Sequence, residues 1–402
     1  MKILVICQHY YPENFRVTEI CEELVRRGHQ VTAVVGLPNY PSGIVPDEYK
    51  RFRRRRENIN GVTVRRCFEI GRRNNKAGLA INYVSYMTSA CWRVLWMKKD
   101  FDVVYAFSTS PVLMSLPGAF LRCFYHRPLM IYIMDIWPAC LAAMRVPESS
   151  LLYRFMTRVS RWVYAKADQL IYSSKLFQEY LRRVHHIGVS DDDYMPQFAD
   201  ATFEEMPPST PHKGLALLFA GNIGQMQAVD TFLRAAARLR DEPITWHIVG
   251  DGSSYEACVK MTKELALAGT VIFHGRKPVE DMPGYYAMAD ALLVSMRDDE
   301  SVNYTLPGKV QGYMAAGKPI LGAIAGETPY IVEQAQCGFC CAPEDDEAFA
   351  EMVRRFMALT DKQRLGQNAR AYYEAHFTQK LHMDRLEQKL LALAAGGKDG
   401  RR

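Results

Sequence analysis

The feature that most restricts the fold of this chain is an alternation of short apolar runs and amphipathic segments. The first run, KILVI at 2–6, is continuous, as in a strand buried on both faces of a parallel sheet. Apolar residues then recur with a helical period from Val17 to Val25, and that segment ends at Gly28. Repetition of this unit predicts an α/β fold in which helices cover both faces of parallel sheets.

The same alternation continues along all 402 residues and is interrupted once. Further strands are predicted at 31–35, 62–67, 103–107, 129–134 and 170–174, and after the interruption at 215–221, 245–250, 270–275, 291–296 and 319–324. The interruption, at 195–214, is rich in proline, acidic and hydroxyl residues and has no steady period, which is typical of a linker. A chain of this length exceeds what one compact core usually holds, so we expect two domains.

Together these patterns predict two Rossmann-like, doubly wound parallel sheets that face each other across a cleft. The predicted divisions are a first domain at 1–196, a linker at 197–214, a second domain at 215–376, and a C-terminal helix at 377–395. Leucines at 381, 386, 390 and 391 are expected on one side of that helix, which could pack back toward the first domain. In such folds ligands bind beyond the carboxyl ends of the strands.

The ten cysteines are scattered and have no regular spacing. This usage fits the reducing cytosol better than a disulfide scaffold, so a cytoplasmic protein is expected. CGFCC at 337–341 contains a C-x-x-C, but no second pair of cysteines or histidines is near it in the sequence. We therefore predict a buried strand there, and no metal site.

Positive charge is concentrated in one region, here called the basic strip, at residues 50–76. The next segment, 77–97, carries one charge, Arg93, but its polar residues make it unsuitable as a membrane span. Its aromatic and aliphatic residues predict an amphipathic helix beside the basic strip, which suits peripheral binding to an anionic membrane surface. A solvated loop for the basic strip, and a crossover helix that covers the sheet, remain open alternatives.

Glycines and basic residues follow the strands of the second half. Gly221 and Gly224 bracket a turn before a predicted helix that begins near Ala228, and Gly250 precedes Asp251 after the next strand. Arg276 follows the third strand, and Lys309 stands after a Pro-Gly pair at the start of another helix. Glycine turns and helix N-termini bind phosphates through backbone N–H groups. The combination predicts a groove for a nucleotide diphosphate, with Lys309 pairing with its charge.

Several common catalytic motifs are absent from the sequence. No G-x-G-x-x-G follows the first strand of either half, and there is no G-x-x-x-x-G-K-[ST], H-E-x-x-H or G-x-S-x-G. NAD chemistry, ATP hydrolysis by a P-loop, zinc proteolysis and serine hydrolysis therefore lack their main sequence support.

Longer motifs carry a resemblance that covers almost the whole chain. They are YYPENFRVTEICEELVRRGHQVTAVVGLPNYPSG at 10–43, MDIWP at 134–138, FAGNIGQMQAVDTFLRAA at 219–236, IVGDG at 248–252 and LPGKVQGYMAAGKPI at 306–320. In these the chain resembles family-4 retaining glycosyltransferases of the GT-B fold, nearest those of bacterial capsule, O-antigen or exopolysaccharide synthesis. The PNYPSG, DIWP and YMAAGKPI elements are the specific ones.

The resemblance implies transfer of a sugar, with retention and without a metal, from a UDP- or GDP-type sugar nucleotide held mainly by the second domain. It implies no separate cofactor. The expected acceptor is a lipid-linked (polyprenyl diphosphate) glycan bound by the first domain, at the inner face of the cell membrane. Nucleic acid is not an expected partner.

The resemblance also assigns roles to single residues. Lys309, which would stabilise the leaving diphosphate, and Asp135 of DIWP are the expected catalytic residues. The expected donor-binding residues are Gly221, Asn222, Gly224, Gln227, Gly250, Asp251, Arg276, Pro307, Gly308, Gln311 and Glu327. The expected acceptor or cleft residues are Asn14, Arg16, Asn39, Tyr40 and Trp137.

Three positions depart from the family pattern. The two glutamates usual near Lys309 are Tyr304 and Gly312 here, so Gln311 or Glu327 would have to meet the ribose. A usual basic residue after the first glycine turn is Gln227, and a Gly-Gly pair of the first loop is Asn14-Phe15. These departures leave open the identity of the sugar and allow an inactive protein.

Two other classes of function remain open at this point. A sugar-nucleotide epimerase of GT-B-like fold would share the two sheets and the phosphate groove. A nonenzymatic protein that binds a membrane surface or nucleic acid would use the arginine-rich segment at 51–56.

Overall fold

A computed structural model describes residues 1–72, 75–144, 146–209, 211–299 and 303–399 in two compact units. The first unit contains residues 1–195 and the chain from residue 383 onward, and the second contains residues 196–382. Residues 73 and 74 of the basic strip lie outside the described residues. The predicted pair of α/β units is confirmed.

A seven-stranded sheet forms the centre of the first unit. Its strands are β1 (Lys2–Ile6), β2 (Gln30–Val35), β3 (Arg56–Ile59), β4 (Val62–Arg66), β5 (Val103–Ser108), β6 (Leu129–Ile133) and β7 (Gln169–Tyr172). Their order is β3-β4-β2-β1-β5-β6-β7, and all pairs are parallel except β3 with β4. The sequence did not predict β3, because its four residues, RENI, include one apolar residue and lack the pattern of a buried strand.

Helices pack on this sheet as the periodicity predicts. They are α1 (Arg16–Arg26), α2 (Lys76–Trp96), α3 (Leu116–Tyr125), α4 (Leu151–Ala165) and α5 (Lys175–Tyr180). In α1, the residues Val17, Ile20, Cys21 and Leu24 are buried, at the spacing of one helix face.

The long helix α2 has one buried side and one exposed side. Tyr86, Ala90 and Val94 are buried, and the Tyr86 hydroxyl donates to the Cys7 carbonyl at 2.9 Å, so α2 covers the sheet as a crossover helix. Trp92 and Trp96 on the other side are exposed. In the part of the chain that the structure describes, no helix is long and apolar enough to cross a membrane.

Six parallel strands form the sheet of the second unit. They are β8 (Leu215–Ala220), β9 (Ile244–Val249), β10 (Val271–Gly275), β11 (Ala291–Ser295), β12 (Ile320–Ala323) and β13 (Gly338–Cys341). The order β10-β9-β8-β11-β12-β13 is the doubly wound arrangement, in which the chain changes direction across the sheet between β8 and β11. A crevice forms at such a point beyond the carboxyl ends of the two strands, and it is where ligands bind in this class of fold.

The helices of the second unit follow the same alternation. They are α6 (Val229–Arg238), α7 (Tyr255–Glu264), α8 (Met282–Ala287), α9 (Lys309–Ala315), α10 (Glu327–Gln334), α11 (Asp346–Met357) and α12 (Lys362–His376). A final helix, α13 (Gln379–Asp399), begins in the second unit and contributes its residues from Met383 onward to the first.

Three expectations about burial differ from the structure. The strand at CGFCC is present as β13, but it is only half-buried, because it lies at the edge of its sheet. In α13, Leu386 and Leu390 are buried whereas Leu391 is 47% exposed. In the segment expected to be a linker, Phe203 is buried and stacks on Tyr286 with ring centroids 5.0 Å apart, so this segment contributes to the core of the second unit.

Candidate functional site

The carboxyl ends of β8 and β9 approach each other through two glycines. The Gly221 N–H donates to the Val249 carbonyl at 3.0 Å, which extends the pairing of the strands by one residue. A Cβ atom added to Gly250, whose φ is 141°, would lie 1.8 Å from the Gly221 carbonyl oxygen. Only glycine permits this approach, and it brings the two turns together beside the switch point between β8 and β11.

The turn after β8 directs two hydrogen-bond donors at one oxygen. The Gln227 Oε1 atom accepts from the Gly224 N–H and from Asn222 Nδ2, each at 3.2 Å. The backbone carbonyl of Gln227 in turn accepts from the Ser295 hydroxyl, which anchors the turn to the end of β11. A backbone N–H and a side-chain amide that converge on an acceptor oxygen are what a phosphate oxygen requires.

Lys309 is held at the same place by the helix that it begins. Helix α9 is fixed because Val310 and Tyr313 are buried, and the Tyr313 hydroxyl donates to the Leu293 carbonyl of β11 at 3.1 Å. The Lys309 Nζ atom lies 3.9 Å from the centroid of the Phe219 ring. A Cβ atom added to Gly221 would lie 3.1 Å from this Nζ, so glycine also leaves the space that the ammonium occupies.

The Lys309 ammonium is buried although the residue as a whole is partly exposed. Among the described residues it has no hydrogen-bond partner, and burial lowers its pKa to about 7. The ring of Phe219 offers it only a cation–π contact. An ammonium kept from water without a counter-ion is costly, so this arrangement is one that an anion would stabilise.

Two residues that could replace the missing glutamates have different surroundings. Gln311 is buried, and with its amide nitrogen toward the start of α9 it donates to the Gly308 carbonyl at 3.1 Å and the Pro307 carbonyl at 3.0 Å. It therefore stabilises the turn that precedes Lys309. Glu327 is buried at the start of α10.

At residue 312, where the family has its second glutamate, the space for a side chain is filled by another part of the second unit. A Cβ atom added to Gly312 would lie 3.2 Å from the ring of Phe203, so a longer side chain at residue 312 would collide with that ring. This contact gives a physical reason for glycine at a position where the wider family has an acidic residue.

The remaining expected donor residues lie at the ends of β9 and β10. Asp251 is exposed, and its Oδ1 atom accepts from the Gly252 N–H at 2.7 Å. Arg276 is exposed directly after β10, and among the described residues no carboxylate pairs with it. Both lie at the same edge of the sheet as Gly221 and Gly250, because the strands are parallel.

In the first unit, Asp135 lies just beyond β6. Its carboxyl group is hydrogen-bonded to the hydroxyl and the backbone of Ser110, and burial raises its pKa. The Trp137 Nε1 atom donates to the same Ser110 hydroxyl at 3.1 Å. Ser110 thus connects two of the expected residues of this unit, one catalytic and one in the expected cleft.

The other expected residues of the first unit differ in burial and in the contacts they make. Asn39 is buried, and its amide nitrogen donates to the Leu37 carbonyl at 2.7 Å. Tyr40 is about half exposed. Arg16 forms an ion pair with Glu19 at 2.6 Å on the first turn of α1, and Asn14 is exposed just before that helix.

A buried polar cluster lies in the first unit, and only one of its members, Asn39, was named from the sequence. Its members, which follow β1, β2 and β4 or lie on α2, are Gln8, His9, Glu13, Asn39, Glu69 and Asn82. Glu69 accepts from the side chains of Gln8 at 2.7 Å, Asn82 at 2.7 Å and Asn39 at 3.0 Å, and burial raises its pKa to about 7. Polar residues directly after a buried strand, as in QHYYPE, are the signal that could have indicated it.

A second group of contacts joins this cluster to the expected acceptor residues. His9 Nδ1 lies 2.8 Å from Glu13 Oε2, and the His9 ring stacks on Phe15 with centroids 4.6 Å apart. The Glu13 Oε1 atom accepts from the backbone N–H groups of Asn39 and Tyr40, both at 2.6 Å. The loops after β1 and β2 are therefore held together by one carboxylate.

Each unit matches a family model. The model described as "Glycosyl transferase 4-like domain" matches residues 14–191, and the model described as "Glycosyl transferases group 1" matches residues 214–358. The first match lies in the first unit and the second lies in the second unit.

Two curated proteins resemble the chain over most of its length. It is 23% identical over 337 residues to the probable glycosyltransferase WbjE of Pseudomonas aeruginosa, and the matched region covers 79% of this chain and 82% of WbjE. It is also 23% identical over 390 residues to the putative colanic acid biosynthesis glycosyl transferase WcaI of Escherichia coli K12, which covers 89% of this chain and 93% of WcaI.

Solved structures share the fold of this chain. Sucrose-phosphate synthase from Thermosynechococcus elongatus matches with a TM-score of 0.78 at 17% identity, over 98% of this chain and 99% of that one. HepE of Anabaena, solved with UDP and glucose, matches with a TM-score of 0.66 at 18% identity, over 97% of this chain and 99% of HepE. At these identities the likeness shows the fold, and the predicted fold class is confirmed.

The family models confirm the predicted enzyme class and give the nonenzymatic alternative no support. They give the epimerase alternative no support. Because a glycosyltransferase model matches each of its two units, the chain belongs to the glycosyltransferases, with the two-domain GT-B fold.

Proposed function

We propose that the second unit binds the diphosphate of a sugar nucleotide between the turn after β8 and Lys309. The observation that carries this proposal is the buried Lys309 ammonium, which has no hydrogen-bond partner among the described residues and lies against Gly221 at the switch point of the sheet. HepE, a structural neighbour, was solved with UDP. A UDP- or GDP-type donor supplies the anion that this position lacks.

The geometry supports a role for Lys309 when the bond between sugar and diphosphate breaks. Negative charge then grows on the leaving diphosphate, while the sugar gains oxocarbenium character. A fixed ammonium and fixed N–H groups near the departing oxygens stabilise this charge without reorganisation. In this proposal they replace a divalent metal, and transfer proceeds with retention, as the resemblance implies.

The proposed acceptor is a lipid-linked glycan, such as one carried on polyprenyl diphosphate, bound by the first unit. Its proposed contacts include Asp135 and Tyr40, of which Asp135 carries a carboxyl group with a raised pKa. WcaI is described as a colanic acid biosynthesis enzyme, which supports a role in bacterial surface polysaccharide synthesis, including capsule or O-antigen. The exposed tryptophans of α2 beside the basic strip support attachment to the inner face of the cell membrane.

A thermal-shift screen tests the donor proposal. Purified protein is heated with UDP-, GDP- and ADP-sugars, and we expect one nucleotide class to raise the melting temperature, because a ligand that binds only the native state stabilises it. Lys309→Ala is expected to reduce this shift. If no nucleotide stabilises the wild type, or if the variant responds equally, the proposed site is wrong.

Turnover separates transfer from epimerisation. With the stabilising donor and a lipid-linked glycan, we expect sugar transfer that requires the acceptor. Conversion of the donor sugar to its epimer in the absence of acceptor would instead support the epimerase.

A further inference from the structure

A cavity of about 600 Å³ lies in the first unit between the β3–β4 hairpin and α2. Five arginines line it: Arg55 just before β3, Arg56 at its start, Arg65 and Arg66 on β4, and Arg93 on α2. Arg66 is paired with Glu57, which leaves the other four as an arginine cluster. The cavity is separate from the second unit, which holds the proposed donor site. The sugar-transfer reaction assigns no role to it.

These four arginines line one cavity, and in the part of the chain that the structure describes they have no acidic partner. Arg56 and Arg65 are directly opposite in the antiparallel pair, where like charges destabilise a sheet. The nearby Glu57 is paired with Arg66 at 2.8 Å. Among the described residues none of the four arginines forms an ion pair.

The hydrogen-bond geometry of these arginines is also incomplete. Arg55 donates through Nη1 to the Cys67 carbonyl at 2.8 Å. The Nε atoms of Arg55 and Arg65 are buried and, among the described residues, have no hydrogen-bond partner. Burial and the neighbouring Arg93 lower the pKa of both groups. Guanidinium groups with unpaired donors and uncompensated positive charge are what an anion would stabilise, since a phosphate accepts two parallel hydrogen bonds from one guanidinium.

The rim of the cavity is apolar and exposed. Trp92 and Trp96 line the cavity and are 66% and 74% exposed, with ring centroids 5.5 Å apart. Ile81 and Val84 are exposed nearer the start of α2, so the exposed apolar residues of this helix, here called the apolar stripe, span about 22 Å. Phe52, at the other side of the cavity, is also exposed. A soluble protein rarely leaves such a patch uncovered unless something binds there.

We propose that this cavity binds the phosphate of an anionic phospholipid headgroup, while Trp92, Trp96 and Phe52 enter the interface of the bilayer. The combination favours a lipid, because a free phosphate would use the arginines and leave the apolar stripe exposed. Tryptophan prefers the membrane interface, where its ring is apolar and its N–H remains hydrated. This inference rests on the proposed attachment to the membrane and adds a headgroup site to it.

Co-sedimentation with vesicles tests the site. The full chain is mixed with phosphatidylcholine vesicles or with equal-mole phosphatidylcholine and phosphatidylglycerol vesicles, and binding is expected only to the second. Two double variants are compared. The first, Arg55→Gln with Arg65→Gln, changes the cavity, and the matched control, Arg51→Gln with Arg53→Gln, removes the same charge from residues outside the cavity. The cavity pair is expected to weaken binding at least about tenfold more than the control pair.

A second set of measurements identifies the source of the phosphate. Trp92→Ser with Trp96→Ser is expected to weaken vesicle binding, and short-chain phosphatidylglycerol is expected to displace the unaltered wild type from vesicles. Inorganic pyrophosphate or a single-stranded oligonucleotide that binds as tightly as the lipid would overturn the proposal. Thermal unfolding and the nucleotide-induced shift check that each variant is folded.

The outcomes separate this inference from the proposed function. If the wild type does not co-sediment with vesicles that contain phosphatidylglycerol, the proposed membrane attachment and the headgroup site are both wrong. If the wild type binds but both arginine pairs weaken binding equally, only the headgroup site is wrong and a diffuse charge effect explains the binding. The thermal-shift measurement tests donor binding independently of both outcomes.

Discussion

At residue 309 a lysine ammonium lies over the Phe219 ring, out of water and beside the backbone of Gly221. Lys318, nine residues later, offers a useful contrast. Its Nζ atom donates to the carbonyls of Ala289 at 2.8 Å and Ala287 at 3.3 Å. The Lys318 ammonium is thus satisfied by backbone carbonyls, whereas among the described residues the Lys309 ammonium has no hydrogen-bond partner.

We expect Lys309→Met to stabilise the free protein and to impair catalysis. Removing a buried charge without a partner should raise the free energy of unfolding by about 1–3 kcal/mol, and losing one charge-stabilising contact should lower turnover about a hundredfold or more. Denaturant unfolding and steady-state kinetics measure the two effects.

Lys318→Met is the matched control for this change. It should lower stability, because the Ala289 carbonyl loses the Lys318 donor and the Ala287 carbonyl, which also accepts from the Ser209 hydroxyl, loses one of its donors. It should leave turnover near the wild-type rate. Wild-type kinetics in Lys309→Met would contradict the proposed role of Lys309.

Donor binding should be coupled to proton uptake at Lys309. Burial lowers the pKa of this ammonium to about 7, so at about pH 8 the group is mostly neutral in the free protein, and a bound diphosphate would raise its pKa again. Calorimetry in two buffers of different ionisation enthalpy should show uptake of up to about one proton more for the wild type than for Lys309→Met. Equal uptake by the two proteins would mean that the ammonium does not face the diphosphate.

The same lowered pKa sets the pH dependence of stability. Between about pH 7 and the unfolded value of 10.5, the unfolded chain holds a proton on Lys309 that the folded protein has released. The free energy of unfolding should therefore rise with pH across this window, and its Lys309 contribution should be absent from Lys309→Met. Thermal unfolding across the window compares the two slopes.

At the scale of elements, the site depends on how closely the ends of β8 and β9 approach. Gly250 lies where a Cβ atom would meet the Gly221 carbonyl. Gly269 also has a positive φ, of 88°, but a Cβ atom added there would have nothing within 4 Å. The two positions separate crowding from backbone strain. Both residues lie in the second unit.

We expect Gly250→Ala to destabilise the protein and to weaken donor binding more than Gly269→Ala. Both changes force alanine into an unfavourable φ, but only the first pushes β8 and β9 apart and displaces the turn next to Lys309. Thermal unfolding gives the loss of stability, and calorimetry with the donor nucleotide gives the loss of affinity. Comparable effects at both positions would show that the close approach of the two turns is unimportant.

Over the whole molecule, the proposed reaction draws its positive charge from the protein itself. Lys309 and the donors of Gly224 and Asn222 are expected to replace a divalent ion at the diphosphate. Turnover should therefore persist, within about twofold, after dialysis against EDTA. A large loss that added Mg²⁺ or Mn²⁺ restores would contradict metal independence.

The sequence by itself determined the class of fold and the position of Lys309 near the glycine turns. Continuous apolar runs such as KILVI are typical of strands buried on both faces. The glycine turns or basic residues that follow four strands meet at one edge, because parallel strands point the same way. The lysine after Pro307 and Gly308 therefore could be placed near those turns without coordinates.

Only the tertiary structure showed which polar groups are satisfied. Whether the Lys309 ammonium has a partner, or why Gly312 must lie under Phe203, depends on residues distant in sequence that enter the same space. The arginine cavity has the same origin, because pairing of β3 with β4 places Arg56 opposite Arg65 and brings both beside α2. A local sequence pattern shows which residues of one helix or strand are buried. Whether a charged group on that element is compensated depends on the other elements that pack around it.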